Sequence, residues 1–156
     1  MLSYRHAFHA GNHADVLKHF VLMQVLSYTT QKDKPFWYID THAGAGMYSL
    51  DTGFAAQNAE YETGIAKLWQ ANDLPAELAN YVGFIKALNQ PSNPKTAKLN
   101  LYPGSPICAQ TLLRDDDRMR LFELHPSDFE ILRENFRGYQ RSVRIDMSNG
   151  FNGIKA

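Results

Sequence analysis

Hydrophobic positions follow helical spacing in some segments of the chain and run without interruption in others. Apolar residues at intervals of three and four positions predict a helix that begins near His13, with Asn12 as its N-cap. Residues 35–40 place aromatic residues beside isoleucine without alternation, which predicts a buried strand. Residues 119–124 and 143–146 predict a second and a third strand. Because helices separate these strands, the pattern predicts an α/β fold with a parallel sheet.

The segments between the three strands are predicted to be largely helical. Two helices are predicted over residues 60–90, and Pro75 suits the first turn of the second. A short strand is predicted at 99–102. Because residues 51–95 form a long stretch for a simple crossover, we interpret them as an insertion or small helical subdomain. Two further helices are predicted from their apolar positions: one carries Ile107, Leu112 and Leu113, and the other, which begins at Pro126 or Ser127, carries Phe129, Leu132 and Phe136.

The composition is that of one globular domain. The 156 residues suffice for one hydrophobic core, and the apolar fraction of 44% is ordinary for a folded protein. Cys108 is the only cysteine, so the chain can form no internal disulfide, which suits a reducing compartment. No apolar segment is long enough to span a bilayer, and the first residues lack the apolar centre of a secretory signal. We therefore expect a soluble cytoplasmic protein.

The formal net charge is zero, but the charged residues are unevenly distributed. Residues 51–90 hold five acids and two lysines, whereas residues 130–156 hold five basic residues and three acids. This asymmetry is compatible with a local polyanion-binding surface, and a solvated helix face explains the arginines at least as well. The residues considered for phosphate contacts are Arg5, Lys18, Arg133, Arg137, Arg141 and Arg144, of which 133, 137 and 141 share a stripe if the helix extends that far.

A small-residue turn follows the first predicted strand, which ends at Asp40. The turn reads Ala-Gly-Ala-Gly and includes Gly44 and Gly46, which allow a ligand to approach the backbone. Glu123 ends the second strand, and residues 149–150 follow the third. Carboxyl ends of parallel strands form ligand sites, and carboxylates suit ribose hydroxyls. The glycine spacing matches neither the dinucleotide fingerprint nor the P-loop, so an NAD site, an S-adenosylmethionine site and a simple structural turn all remain open.

The histidines near the start of the chain raise the possibility of a zinc site. His9 and His13 are four residues apart, which on a helix would put them on one face. Gly11 and Asn12 interrupt any helix between them, and no cysteine cluster accompanies them. Surface and capping roles therefore explain these histidines better than a metal site.

Several longer motifs carry a more specific resemblance. The segments LSYRHAFHAGNHADVLKH, DTHAGAG, LYPGSP, ELHPSD and NGF occur in this order along the chain. Together they resemble the RlmJ family of adenine-N6 methyltransferases of large-subunit (23S) ribosomal RNA, and the resemblance extends over essentially all 156 residues. It implies a class I, Rossmann-like fold with an inserted helical subdomain. It also implies S-adenosyl-L-methionine as cofactor and ribosomal RNA, protein-free or in an early assembly form, as partner.

The resemblance also implies roles for individual residues. Tyr4 and His6 match an N-terminal segment that lies close to the active site in the family, and Lys18 sits in the same motif. No metal is implied. By position, the cofactor contacts carry over to His19, His42, Ser105, Glu123, Asn149 and Gly150.

The chain departs from the family pattern in two places. The family usually has an acid where this chain has Asn149, whose amide can accept a hydrogen bond and can also donate one. The Asp-Pro-Pro-Tyr motif, which in the family holds the adenine amine and stacks on the base, does not occur in the 156 residues. We therefore expect the chain to be the N-terminal part of a longer enzyme, incomplete at its C-terminus and inactive alone. A non-catalytic RNA-binding or ribosome-assembly module is the alternative.

Overall fold

The computed structural model describes residues 6–51, 53–90, 95, 97–139 and 142–155. Tyr4, Arg5 and Arg141, for which functions are expected from the sequence, lie outside the described residues. The α-helices are α1 (His13–Thr29), α2 (Gly53–Asn58), α3 (Ile65–Gln70), α4 (Ala76–Asn89), α5 (Ser105–Gln110), α6 (Pro126–Asn135) and α7 (Gly150–Gly153). The strands are β1 (Trp37–Asp40), β2 (Met47–Ser49), β3 (Leu101–Pro103), β4 (Arg118–Phe122) and β5 (Val143–Asp146), and short 3-10 helices span His6–Phe8 and Glu60–Thr63.

Three parallel strands form the larger sheet, in the order β1-β4-β5. Asp40 pairs in register with Leu121, and Phe122 pairs with Asp146, so the three carboxyl ends lie at one edge of the sheet. The predicted parallel α/β architecture is therefore confirmed. A second sheet, which the sequence pattern did not predict in full, joins β2 to β3.

The chain divides into two compact units. The sheet unit comprises the described residues of Leu22–Met47 and Gly104–Ala156 and holds the three-stranded sheet. The helical unit comprises those of Ser3–Val21 and Tyr48–Pro103 and holds α2, α3 and α4. The helices predicted within 51–95 are thus present, with a break between α3 and α4 and Pro75 as the residue that precedes α4. Their interpretation as an inserted subdomain stays a prediction.

The sheet unit packs around a cluster of apolar side chains from its helices and strands. Leu26, Met119, Leu121 and Leu132 are buried in this cluster. β1 departs from the expectation of a buried strand, because the side chain of Trp37 is 62% exposed and that of Ile39 is also exposed. The prediction was wrong because successive side chains of a strand point to opposite faces, and no described element covers this face of β1.

Two predicted helices end earlier than their apolar residues suggested. α5 ends at Gln110, so Leu112 and Leu113 lie in the turn that follows it rather than on the helix. α6 ends at Asn135, so Phe136 lies just beyond the helix, and the helix does not extend to Arg137 as the arginine stripe would require. None of the described helices is long and apolar enough to cross a membrane.

An ion pair fixes the entry into β1. The Asp117 carboxylate is fully buried and accepts hydrogen bonds from the backbone N–H groups of Phe36 and Arg114 and from the Arg114 guanidinium. The same guanidinium donates to the carbonyl oxygens of Thr30, Lys32 and Lys34. Its hydrogen bonds hold the pKa of Asp117 at about 2, below the ordinary value of 3.8. The connection between α1 and β1 is therefore held in place by the side chain of Arg114, which precedes β4 in the sequence.

A close backbone contact organises the helical unit. Gly11 adopts a φ of +76°, and its carbonyl oxygen accepts a hydrogen bond from the N–H of Ile65 at 2.9 Å. Gly64 lies against Gly11 and Asn12 so closely that a Cβ on it would be 2.5 Å from the Asn12 carbonyl carbon. The side-chain oxygen of Asn12 accepts from the N–H of Asp15 at 2.9 Å, which confirms Asn12 as the cap of α1.

Candidate functional site

The carboxyl end of β1 is organised around the Asp40 carboxylate. The hydroxyls of Tyr38 and Ser105 both donate to Asp40 Oδ2, at 2.9 and 2.6 Å. The backbone N–H of His42 donates to Oδ1 at 3.0 Å. Burial raises the pKa of the Tyr38 hydroxyl, and the neighbouring Asp40 charge raises it further, so this hydroxyl remains a donor. Asp40 thereby fixes both the start of the glycine turn and the first residue of α5.

The carboxylate of Glu123 joins the glycine turn to the segment after β4. Its Oε2 accepts a hydrogen bond from the backbone N–H of Gly44 at 2.8 Å, and its Oε1 accepts one from the N–H of His125 at 2.7 Å. The turn requires glycine, because φ is +63° at Gly44 and +80° at Gly46. Each carboxylate oxygen of Glu123 retains acceptor capacity beyond its single backbone partner.

The N-terminus of α7 approaches the end of β1. The side-chain oxygen of Asn149 accepts a hydrogen bond from the N–H of Phe151 at 3.0 Å and caps the helix. A Cβ on Gly150 would lie 2.6 Å from the Cα of Thr41, so only glycine permits this approach. The ring of His42 packs edge-on against Phe151, with centroids 5.1 Å apart. Residues after β1, β4 and β5 are therefore gathered at one edge of the sheet.

A separate polar cluster lies at the start of α1 in the helical unit. The side chain of Asp15 is only 3% exposed. His6 Nε2 lies 2.7 Å from its Oδ2, Lys18 Nζ donates to its Oδ1 at 2.8 Å, and the Gly11 N–H donates to Oδ2 at 3.2 Å. Burial acts to raise the pKa of Asp15, but the hydrogen bond and charge of His6, with the hydrogen bond of Lys18, outweigh it and hold this pKa well below its ordinary value.

His19 lies in the interior of the same unit, with 1% of its surface exposed. Its Nδ1 is 3.0 Å from the hydroxyl of Tyr102, which is 2.9 Å from the hydroxyl of Tyr81. Burial lowers the pKa of His19 to about 3, because the interior disfavours the imidazolium, and the opposing charge of Asp15 offsets this only in part. The ring is therefore neutral at pH 7 and takes part in a buried chain of hydrogen bonds.

We expect mild acid to destabilise the protein through His19. The ring has an ordinary pKa of 6.5 and a folded-state pKa of about 3, so the unfolded chain binds the proton first as the pH falls. The stability tied to this ring is complete above pH 6.5 and is lost toward pH 3, with a slope that approaches about 1.4 kcal/mol per pH unit. Asp15, His6, Lys18 and Tyr102 surround the ring.

The measurement is the free energy of unfolding between pH 7.5 and 4.5 for the native chain and for His19→Gln. Glutamine keeps a polar side chain opposite Tyr102 but does not titrate in this range. The variant should show a shallower pH dependence than the native chain. Equal slopes would show that His19 does not carry the effect.

Comparison with known proteins decides the family. The family profile described as "Ribosomal RNA large subunit methyltransferase D, RlmJ" matches residues 33–156. The chain belongs to the RlmJ family. The resemblance found in the sequence motifs is thereby confirmed.

Individual RlmJ relatives match the whole chain. It is 50% identical over 156 residues to Ribosomal RNA large subunit methyltransferase J of Escherichia coli K12, and 49% identical to the protein of that name from Haemophilus influenzae. The chain spans about half the length of these curated relatives, 54% of each. The crystal structure of protein LPL1258 from Legionella pneumophila is similar with a TM-score of 0.79 and 38% identity, over 92% of this chain and 50% of that one.

The residues that the RlmJ resemblance singles out fall into two groups in the structure. His6, Lys18 and His19 lie in the helical unit, the first two around Asp15. Tyr4 lies outside the described residues. The other five lie in the sheet unit and are His42, Ser105, Glu123, Asn149 and Gly150.

Two acids with central positions received no role from the RlmJ resemblance. The sequence placed Asp40 at the end of a predicted strand. It could not show that Tyr38 and Ser105 donate hydrogen bonds to Asp40, because the Ser105 contact forms only in the folded sheet unit. Asp15 lies three residues before Lys18, a spacing that brings side chains together on a helix and could have indicated the pair. Its contact with His6 had no signal in the sequence.

The arginines considered for phosphate binding have acidic neighbours. Arg133 lies 3.4 Å from Glu130, and Arg137 lies 2.6 Å from Glu134. Arg144 lies 3.1 Å from Asp146. These pairs offset much of the positive charge, which favours the interpretation of a solvated surface over a dedicated phosphate site.

Two cavities of the sheet unit lie away from the residues that the RlmJ resemblance singles out. One of about 310 Å³ is lined in part by Phe136 and Ile145, and one of about 510 Å³ in part by Leu113 and Val143. None of the residues singled out by the RlmJ resemblance lines either cavity.

Among the described residues, no group of three or more His, Cys, Asp or Glu side chains is arranged to hold a metal ion. The case for a ligand at the strand ends therefore depends on hydrogen-bonding geometry.

Proposed function

We propose that the chain carries the cofactor-binding part of an S-adenosyl-L-methionine-dependent methyltransferase that acts on the N6 amine of an adenine in 23S ribosomal RNA. The fold would then be a class I, Rossmann-like methyltransferase fold with residues 51–95 as its inserted helical subdomain. The observation that carries the proposal is the Glu123 carboxylate at the end of β4, hydrogen-bonded to the Gly44 N–H of the glycine turn. Membership of the RlmJ family and the names of the Escherichia coli and Haemophilus influenzae relatives support it.

The donor set at the strand ends fits an adenosine group. A ribose presents two neighbouring hydroxyls, and Glu123 has acceptor capacity left on both oxygens after binding one backbone N–H with each. The left-handed glycine turn brings backbone rather than side chains to the same point. In this proposal Glu123 accepts the ribose hydroxyls, and the turn excludes side chains that would occupy their place.

Asn149 would serve the adenine of the cofactor. Its side-chain oxygen already caps α7, a role that aspartate fills as well as asparagine does. The replacement of the family's acid by Asn149 therefore keeps the cap and adds an amide donor, which suits a ring nitrogen of adenine. Gly150 would contribute by allowing α7 to come close to Thr41.

Ser105 and His42 would contact the methionine part of the cofactor. The Ser105 hydroxyl donates to Asp40, which leaves its oxygen lone pairs as acceptors for an ammonium group. The His42 side chain is fixed by its contact with Phe151. His19, which the RlmJ resemblance also assigns to the cofactor, is buried, so we propose that it acts through Tyr102 and the packing of its unit.

Methyl transfer to an adenine amine requires the base to leave the RNA stack and the amine to be oriented. When bound, S-adenosylmethionine supplies the methyl group as part of a sulfonium. Lys18 and His6 are the described residues that we assign to the neighbourhood of the acceptor nucleotide, with side chains that are 55% and 20% exposed. An ammonium and an imidazole suit the phosphate and polar edges of a nucleotide. The RNA would be protein-free or in an early assembly form.

The deciding experiment measures cofactor binding and methyl transfer separately. The chain is titrated with S-adenosylmethionine by calorimetry, and NAD serves as the control ligand. Methyl transfer to protein-free 23S RNA is then measured for a chimera in which the 156 residues replace the matched segment of the Escherichia coli relative. The proposal predicts binding of S-adenosylmethionine but not NAD, and N6-methyladenine formation by the chimera.

The opposite results would count against the proposal in different ways. RNA binding without S-adenosylmethionine binding would favour the alternative of a non-catalytic RNA-binding or ribosome-assembly module. Binding of NAD instead would favour an oxidoreductase.

A further inference from the structure

The Asp15 carboxylate lies at the centre of the cluster that holds the two described residues assigned to the acceptor nucleotide, the exposed Lys18 and the partly exposed His6. One of its oxygens contacts His6 and the other contacts Lys18, at 2.7 and 2.8 Å. His6 and Lys18 are twelve positions apart and are not adjacent in a helix, because His6 belongs to the 3-10 helix before α1. The carboxylate is therefore the shared hydrogen-bond partner that holds the two side chains near each other.

Asp15 itself is too buried to touch a nucleic acid. Its side chain is 3% exposed, whereas those of Lys18 and His6 are 55% and 20% exposed. The charged form of a buried carboxylate is costly unless it is paired and hydrogen-bonded. Both oxygens of Asp15 meet that condition, with the Gly11 N–H as a third donor. The arrangement keeps a charge inside the unit and presents its two partners outward.

The backbone around Asp15 is also fixed. The Gly11 carbonyl accepts from Ile65, and Gly64 leaves no room for a side chain beside Gly11. Asn12 caps the helix by accepting from the Asp15 N–H. Asp15 is therefore tied to the backbone of this turn. A fixed carboxylate is suited to orienting the side chains of His6 and Lys18.

We propose that Asp15 is a positioning residue of the methyltransferase, one that sets the geometry in which His6 and Lys18 meet the phosphate and base of the acceptor nucleotide. This inference depends on the proposed function. It adds a residue to which the RlmJ resemblance gave no role, and it explains why the motif LSYRHAFHAGNHADVLKH brings together its acid Asp15, its histidine His6 and its lysine Lys18.

The test is a set of variants in the chimera described above, with kcat and KM for 23S RNA as readouts. Asp15→Asn should lower kcat/KM at least about tenfold, because both partners lose a charged acceptor. In a His6→Ala/Lys18→Ala background, the same substitution should change kcat/KM less than about twofold, since there is nothing left to position. Asp117→Asn is the matched control: it removes another buried acid and should lower the thermal midpoint while it leaves kcat/KM within about twofold.

The outcomes separate the two proposals. An unsubstituted chimera without methyl transfer would overturn the proposed function and this inference with it. An active chimera in which Asp15→Asn has the same effect in both backgrounds, or no effect, would overturn the positioning role alone. If Asp15→Asn does not fold, the cycle is made from His6→Ala and Lys18→Ala. Non-additive losses would then support coupling through the shared carboxylate, and additive losses would overturn it.

Discussion

Replacement of Glu123 by alanine is expected to weaken the binding of S-adenosylmethionine about ten- to hundredfold. The substitution removes a charged acceptor from the proposed ribose site, a loss of about 1.5–3 kcal/mol. It also removes the acceptor for the N–H groups of Gly44 and His125, so the glycine turn loses its tie to the end of β4. Both effects act against binding. Calorimetry on the native chain and the variant measures the dissociation constant directly.

Two further variants serve as comparisons for Glu123→Ala. Glu123→Gln keeps one acceptor oxygen but turns an amide donor toward a backbone N–H, so its loss of affinity should resemble that of alanine. Glu130→Ala removes an exposed acid of α6 and should leave affinity unchanged. Undiminished binding by Glu123→Ala, with its thermal midpoint intact, would remove Glu123 from the site.

Replacement of Gly64 by alanine is expected to cost about 3 kcal/mol of folding stability. A Cβ at this position would lie 2.5 Å from the Asn12 carbonyl carbon and closer still to the Gly11 oxygen, both of them backbone atoms. Backbone cannot rotate away as a side chain does, so the turn before α1 must shift as a whole. The hydrogen bond from Ile65 to Gly11 would be strained by that shift.

Gly83 provides the matched control for Gly64. It lies within α4, and a Cβ there would meet nothing within 4 Å. Gly83→Ala should therefore stabilise the protein by about 0.5–1 kcal/mol through helix propensity. Urea unfolding of both variants and the native chain gives the comparison. A Gly64→Ala protein as stable as the native chain would contradict the close backbone contact between Gly64 and Gly11.

Features that depend on local chemistry could be predicted from the sequence. Asn12 caps α1 because its side chain reaches an N–H three residues ahead, and β5 coincides with the predicted strand at 143–146. The exposed face of β1 could not be predicted, since it depends on which elements cover the strand. The end of α5 at Gln110 was also missed, because Leu112 and Leu113 pack against the sheet-unit core from a turn as well as from a helix.

The location of the strand-end residues could be predicted from the sequence, but their hydrogen bonds could not. The order of strands and turns was enough to place Asp40, Glu123 and Asn149 at one edge of a parallel sheet. The hydrogen bond between Gly44 and Glu123 joins residues 79 positions apart, and no local pattern carries that information. Asp15 was missed for the same reason, because its contact with His6 arises only when the chain turns at Gly11.

The Arg114 guanidinium has a consequence for how the connection from α1 to β1 can vary among relatives. Its hydrogen bonds to this connection go to the backbone carbonyl oxygens of Thr30, Lys32 and Lys34. We therefore expect substitutions in this segment to be better tolerated than the gain or loss of one residue, which would put the wrong carbonyls opposite the guanidinium. We therefore expect the length of this connection to vary less among relatives than its sequence, because one side chain more than 80 residues away binds its carbonyl groups.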